Sequence, residues 1–292
     1  MHLYITSLNS GSNGNCYYIG NDKEAVLVDA GISCRETERR MARLGLQMSK
    51  VKAIFISHEH SDHIKGVSVL AKKYKLPVYI TPETLRRARF EETNFPMEAF
   101  DAQAPITIGD LEVLAFPKLH DAIDPYSFVV SYQGTKVGVF TDIGAPCDQL
   151  IHYFGQCHAA ILEANYDEVM LAEGYYPYHL KRRISGGKGH LSNRQALNLF
   201  TTYKPNFMSH LLLGHLSKNN NCPNLVEELF TKHAGNTQVV VASRYEETPV
   251  YRISSSDDIC IEPVIPFRPK STIKSRRYSA KTIVADNQLE LF

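Results

Sequence analysis

What this 292-residue sequence lacks narrows its class before any motif is read. No apolar run approaches the ~18 residues that a membrane helix needs, so no membrane partner is expected. The start, MHLYITSLNS, has no basic segment followed by an apolar one, and no secretory signal is visible there. Six cysteines, at 16, 34, 147, 157, 222 and 260, form no CxxC pair and no regular framework. They read as reduced thiols of a cytoplasmic protein. Nothing repeats with a period of ~20–50 residues, which excludes solenoids and propellers. Nor is the chain short of apolar residues: 43% are hydrophobic, enough to bury a sizeable core, and only 22% are charged, which excludes a disordered chain. The net charge of +1 hides one asymmetry. Residues 264–292 carry Arg268, Lys270, Lys274, Arg276, Arg277 and Lys281 against Asp286 and Glu290, so a slightly acidic body bears a basic tail.

Short β-type runs dominate the first third: LYITSLN, CYYIG and AVLVDAG, separated by the turn-forming SGSNGN and NDK. Ser33 with Glu36 predicts a capping box at the start of a helix. VKAIFIS is a buried-type strand that ends in the polar loop HEHSDH. Further on, SFVVSYQG and TKVGVFTD predict a hairpin, and Ser192 with Gln195 a second capping box. Strands grouped in both halves with helices between them predict an α/β or α+β fold of two sheets with helices outside. Periodicity stops near residue 263, where Pro263, Pro266 and Pro269 punctuate the basic segment. The expected organisation is a catalytic domain over 1–263 and a flexible tail over 264–292.

Twelve histidines are present, and several cluster at metal-ligand spacing. In extended chain, residues i and i+2 project to one side, so His58 and His60 can grip one cation while Asp62 and His63 face a second. Imidazole with carboxylate suits zinc, manganese or iron. Asp29 ends the run AVLVD, His120 follows VLAFPKL, Asp142 ends VGVFT, and His215 ends FMSHLLLG. A lone His or Asp at such a place is usually a loop or cap residue. Four apolar runs that each end in a ligand-type residue, beside HEHSDH, imply one site at one edge of a sheet pair.

This pattern of HxHxDH, an isolated His, an Asp ending a strand and a late His resembles the metallo-β-lactamase-fold hydrolases. The resemblance covers residues 1 to about 255 and implies a four-layer αββα sandwich. It further implies that His58, His60 and His120 hold one divalent ion, that Asp62, His63 and His215 hold a second, and that Asp142 bridges them. Asp29 would support the site from behind its ligands. The ions, zinc or manganese, would generate a bridging hydroxide as nucleophile. An Asp at the bridging position is similar to the phosphodiesterase and thioesterase branches rather than to true β-lactamases. Glu163 in LEANYD, His190 in GHLSNRQ and the Leu-Ser after His215 resemble the tRNA-processing RNase Z. There His190 would serve the leaving oxygen and Glu163 would orient it, beside Asp62 in the catalytic set. SLNSGSNGNCYYI, LEANYD, KGHLSN and GHLSKNNN together look like the YycJ-like (WalJ) family. That implies a 5′-to-3′ exonuclease on double-stranded DNA in replication or repair. The 47 residues between Asp142 and His190 leave no room for the extra domain of β-CASP nucleases.

For substrate contacts, the Gly-rich loop Ser10–Asn15 could cradle a phosphate, with Asn15 as a contact. Lys181, Arg182 and Arg183, interleaved with tyrosines just before His190, suit a nucleic-acid backbone, although an exposed helix face gives the same pattern. The helix starting at Ser192 could turn backbone N–H groups toward an anion. Two rival readings are a small-molecule hydrolase of the same fold, acting on a thioester, lactone or cyclic phosphodiester, and a non-catalytic adaptor. The His190 segment and the basic tail favour the nuclease, and a complete ligand set argues against the adaptor. Finally, Gln288, Leu289, Leu291 and Phe292 in QLELF resemble the peptide by which bacterial replication and repair proteins bind the DNA sliding clamp.

Overall fold

Two seven-stranded sheets stack face to face, because most of their strands are apolar on both sides and need cover on each face. The computed structural model describes residues 2–90 and 94–255. The basic segment 264–292, with Gln288, Leu289, Leu291 and Phe292, lies outside the described residues.

The first sheet holds β1 (His2–Asn9), β2 (Cys16–Gly20), β3 (Ala25–Val28), β4 (Val51–Phe55), β5 (Val78–Tyr79) and β6 (Met97–Glu98). Its other edge is β14 (Tyr251–Ser254), antiparallel to β1, giving the order β14-β1-β2-β3-β4-β5-β6. The second sheet holds β7 (Ile106–Ile108), β8 (Leu111–Pro117), β9 (Tyr126–Tyr132), β10 (Thr135–Phe140), β11 (Ala159–Glu163), β12 (His210–Gly214) and β13 (Gln238–Val241), also in sequence order. β9 and β10 are the expected hairpin. β10, β11, β12 and β13 run parallel, so their C-terminal ends meet along one edge.

Between the sheets lies an apolar layer of Leu3, Ile5, Val26, Val28 and Phe55 against Val113, Phe128, Val130, Val139 and Ile161. Outside the first sheet pack α1 (Cys34–Arg43), α2 (Ser61–Ile64), α3 (Val67–Tyr74) and α4 (Pro82–Ala88). Met41, Val67, Leu70 and Ala71 cover Leu27 and Ile54 there. Outside the second lie α5 (Asp148–Phe154), α6 (Glu168–Glu173), α7 (Tyr178–Ser185), α8 (Asn193–Tyr203) and α9 (Pro223–Thr231). Phe154, Leu199, Phe200 and Phe230 cover Phe140 and Leu162 on that side. The layers are αββα.

Two expectations about helix starts come out differently. At Ser192 the capping box is complete, Ser192 and Gln195 each satisfying the other's backbone. At Ser33 it is half formed: Ser33 accepts from Glu36 N, but the Glu36 carboxylate turns to Arg39 and Arg40 instead. A carboxylate beside two guanidinium groups gains more from charge-assisted bonds than from one backbone N–H.

Candidate metal centre

The centre forms where strands of both sheets end. Asp29 follows β3, His58–His63 follow β4, His120 follows β8, Asp142 follows β10, and His215 follows β12. Asp29, Asp142 and His215 have left-handed backbones, with φ of 60°, 56° and 56°. Residues with a side chain at Cβ seldom adopt this conformation, and it concentrates where the chain must aim a side chain sharply out of a strand. The loop behind them needs close backbone approach. A Cβ on Gly31 would overlap the carbonyl oxygen of Asp62, and one on Gly189 would overlap that of Ile184.

The side chains converge in two overlapping groups. Ligand atoms of His58, His60 and His120 lie within 4.8 Å of one another, and so do those of Asp62, His63 and His215. Asp142 touches both groups, its Oδ1 3.8 Å from His120 Nε2 and its Oδ2 3.2 Å from His63 Nε2. These are the seven residues expected from the sequence.

Hydrogen bonds on the far side of each ring fix which nitrogen faces inward. His63 Nδ1 donates to Asp29 Oδ2 at 2.7 Å, and His215 Nδ1 to Glu163 Oε1 at 2.9 Å. His120 Nδ1 donates to Gly189 O at 3.1 Å. Ser57 Oγ gives its proton to Asp29 Oδ2 at 2.8 Å and so accepts from His58 Nδ1 at 2.9 Å. His58 and His120 then present an Nε2 lone pair to the interior, the form in which imidazole binds a metal, and His63 and His215 would do so on giving up the Nε2 proton to a cation. His58 Nε2 and His60 Nδ1 stand only 3.1 Å apart. Asp142 Oδ2 is buried and makes no hydrogen bond among the described residues, although His63 Nε2 is near. Convergent acceptors around a buried, unpartnered carboxylate oxygen are what cations would satisfy, so the donor set fits divalent ions.

The electrostatics divide the two groups. Burial lowers His58 and His60, and takes His120 down to about 4. These are neutral imidazoles. Burial also opposes charge on His63 and His215, but the facing carboxylates outweigh it: Asp142, Asp62 and Asp29 raise His63, and Asp142, Asp62 and Glu163 raise His215 to about 10. Asp142 is buried too, yet His215 and His63 hold it well below the carboxylate range.

Glu163 is fully buried at the end of β11. Its Oε1 accepts from His190 Nδ1 at 2.8 Å as well as from His215, and its Oε2 accepts from Ile143 N and Leu191 N. Burial alone would raise its carboxyl; His190 and His215 hold it at about 2. His190 stands on the rim with 21% of its side chain exposed, its ring centroid 5.3 Å from His120 and 5.2 Å from His215.

The expected substrate contacts fare differently. Asn15 is fully buried: its Nδ2 donates to Asp62 Oδ2 at 3.1 Å, and its Oδ1 accepts from Gly11 N and Tyr17 Oη. It holds a metal-facing carboxylate rather than offering itself to substrate, because every polar atom already has a partner inside the protein. Lys181 and Arg183 are partly committed, to Ala172 O at 2.6 Å and Asp121 Oδ2 at 2.5 Å, and Arg182 lies over the Tyr178 ring. At the start of α8, Gln195 N donates to Ser192 Oγ and Asn193 N to Tyr166 O, so both are already used inside the protein. Three residues escaped the sequence reading. Ser57 links Asp29 to His58; Asn165 Nδ2 donates to His215 O at 2.8 Å; and buried Lys118 donates to Thr141 O at 2.7 Å beside Asp142. Each is adjacent or two residues from a ligand-type residue, the one signal that could have found them.

A family model described as a beta-lactamase superfamily domain matches residues 24–215. Exodeoxyribonuclease YycJ of Bacillus anthracis is 37% identical over 228 residues, covering 77% of this chain and 86% of that one. Exodeoxyribonuclease WalJ of Streptococcus pneumoniae is 33% identical over 225 residues, covering 75% and 83%. Among solved structures, the metallo-beta-lactamase fold protein YhfI from Bacillus subtilis superposes with a TM-score of 0.68 at 16% identity, covering 86% of this chain and all of that one.

Proposed function

The chain belongs to the beta-lactamase superfamily, in the group of the YycJ and WalJ exodeoxyribonucleases, and we propose that this metal-dependent hydrolase is a 5′-to-3′ exonuclease on double-stranded DNA. The observation that carries the reading is the His190–Glu163 pair, 2.8 Å apart, on the open side of the metal cluster. Two divalent ions, zinc or manganese, would be held by His58, His60 and His120 and by Asp62, His63 and His215, with Asp142 shared. When bound, they would supply an acidified water and neutralise charge on the phosphate.

The chain's own groups do the rest. Glu163 fixes His190 by taking its Nδ1 proton bond, which leaves Nε2 facing the cleft to protonate the leaving oxygen. The same carboxylate fixes His215, so one buried group orients a proton donor and a metal ligand together. Asn15 keeps Asp62 turned inward. Small thioesters or lactones need no proton donor placed beside a phosphate, and the exodeoxyribonuclease relatives favour DNA as substrate.

The test is a metal-dependent assay on duplex labelled at either the 5′ or the 3′ end, with single-stranded DNA and RNA alongside. Loss of the 5′ label as mononucleotide from duplex is the expected result. Preference for RNA, or internal cutting, would overturn the assignment. A role in replication or repair, a cytoplasmic location and a two-part organisation at residue 263 belong to the same proposal. So does clamp binding by Gln288, Leu289, Leu291 and Phe292: removing 288–292 should abolish retention on the sliding clamp and spare activity on naked DNA. Equal retention with and without the peptide would dispose of it.

A further inference from the structure

Arg244 is a cation set beside the metal centre, with no counterion among the described residues. It follows β13 on a segment that is pinned on several sides. Ser10 N donates to Ser243 O at 3.2 Å, and Thr248 N to Ser7 O at 2.9 Å. Arg40 Nη2 donates to Tyr245 O at 3.0 Å, and Arg43 pairs with Glu247. In this corner Arg40 has Glu36 at 2.7 Å and Arg43 has Glu247, whereas no carboxylate among the described residues faces Arg244.

The Arg244 guanidinium is half-buried. Its Nη2 donates to Leu216 O at 2.8 Å and reaches Ser12 Oγ at 3.4 Å. Leu216 directly follows His215, and Ser12 sits in the Gly-rich loop whose Ser10 Oγ accepts from His215 N at 2.7 Å. The guanidinium therefore lies between that loop and the metal-facing histidine. A guanidinium offers five donors, so further donors remain after these contacts. Withdrawing a charge from water without pairing it is unfavourable, and burial here pulls the Arg244 pKa down. Only the hydroxyls of Tyr245 and Tyr176 act in the opposite direction. Tyr245 is 68% exposed, an aromatic face open to solvent next to the cation. A fixed, unpaired guanidinium beside an exposed ring matches one nucleotide unit: phosphate on the fork, base on the ring.

We propose that Arg244 receives a backbone phosphate of the DNA strand adjacent to the one being cut, and that Tyr245 stacks on the neighbouring base. This rests on the nuclease reading above. It differs from the expected contacts at Lys181–Arg183, because Arg183 already faces Asp121 whereas no carboxylate among the described residues faces Arg244.

The experiment measures equilibrium binding of a fluorescent, cleavage-resistant phosphorothioate DNA duplex to the metal-loaded full chain over a range of salt. Wild type, Arg244→Gln, Arg244→Lys and Tyr245→Ala are compared. Arg244→Gln should bind about tenfold more weakly, and its log–log salt slope should fall by about one, the signature of one lost phosphate contact. Arg244→Lys should keep the slope while losing part of the affinity, since a point charge replaces a fork. Tyr245→Ala should weaken binding about tenfold with the slope unchanged; wild-type affinity in that variant would remove the stacking role. An unaltered slope in Arg244→Gln overturns the phosphate contact even if its melting temperature falls, because Arg244 would then only brace Leu216. The wild type separates the two levels. If it neither binds nor degrades duplex, the nuclease reading fails and takes this inference with it. If it does both and Arg244→Gln matches it, the inference alone fails.

Discussion

The two sides of the metal centre are built from the same residue types but held by different means. On the side of the first sheet, His58, His60, Asp62 and His63 come from six consecutive residues. Their positions follow from one loop and one helical turn, α2, with Asp29, Ser57 and Asn15 behind them. On the side of the second sheet, His120, Asp142, Glu163, His190 and His215 come from five separate segments. What aligns these is the pairing of parallel strands, Phe140 with Leu162 and Glu163 with Gly214, and the single carboxylate of Glu163 that ties two of them together. The first side is specified locally. The second exists only when the sheet is in register.

Asp142→Asn should break the comparison most severely, because the Asp142 carboxylate faces both ligand groups, one oxygen toward His120 and the other toward His63. Turnover should fall below detection and metal content should drop, with the circular-dichroism spectrum unchanged. Retained activity would remove Asp142 from the centre. Next in size, His190→Ala should slow single-turnover cleavage by ~10²–10⁴ with metal content unchanged. Collapse of metal occupancy would instead make His190 a ligand.

Asp29→Asn and Glu163→Gln sharpen the contrast further. Each weakens the acceptor behind one inward-facing histidine, so each should lower metal affinity by ~10–100-fold. Only Glu163→Gln should also lower the single-turnover rate at saturating metal, since His190 shares that carboxylate. Equal effects of the two variants on that rate would deny the double role.

The pH dependence should differ between the groups of ligands as well. A proton competes with a cation for Nε2 of His215, raised to about 10, and of His63, whereas His120 at about 4 gives its proton up readily. Metal affinity at the Asp62–His63–His215 group should therefore fall steadily as pH drops below about 10, with about two protons released per ion bound there, one from each raised imidazole. At the His58–His60–His120 group it should change little, as calorimetry in buffers of different ionisation heat would reveal. In the metal-free protein the same raised pKa stabilises the fold. That contribution is complete below the ordinary imidazole value of ~6.5 and is lost as pH rises through about 10. The smallest effect is expected at the rim. Neutralising Lys181, Arg182 and Arg183 together should flatten the salt dependence of DNA binding by less than their three charges allow, because Arg183 already faces Asp121. A loss of three units of slope would place all three on the phosphate backbone.

The same contrast explains how much could be read from the sequence. HEHSDH announces itself because its ligands are contiguous and follow an apolar strand. Asp29, Asp142 and His215 were legible only as a recurrence, an apolar run ending in a ligand-type residue. Glu163 and His190, and the orienting of one by the other, were read from family resemblance and from no local pattern; that Glu163 also holds His215 needed the fold. Asn15 was assigned to substrate because a glycine-rich stretch says nothing of which way its polar side chain points. The edge strands β6 and β14 were missed: the first pairs over two residues, too few for a period-2 pattern, and the second draws its place from β1 at the other end of the chain. Arg244 carried no local signal, since what marks it is the absence of a carboxylate that only three dimensions can reveal.

The pairing of β14 with β1 sets the order in which the molecule can be made. His2–Ile5 wait for Tyr251–Ser254, Ser10 waits for His215 and Ser243, and Thr6 waits for Thr248. During synthesis the contiguous ligands leave the ribosome early, but the loop that braces them is secured by almost the last described residues. Contacts so distant along the chain form slowly. A nascent chain thus carries HEHSDH without an assembled centre until Tyr251–Ser254 have been made and can pair with β1.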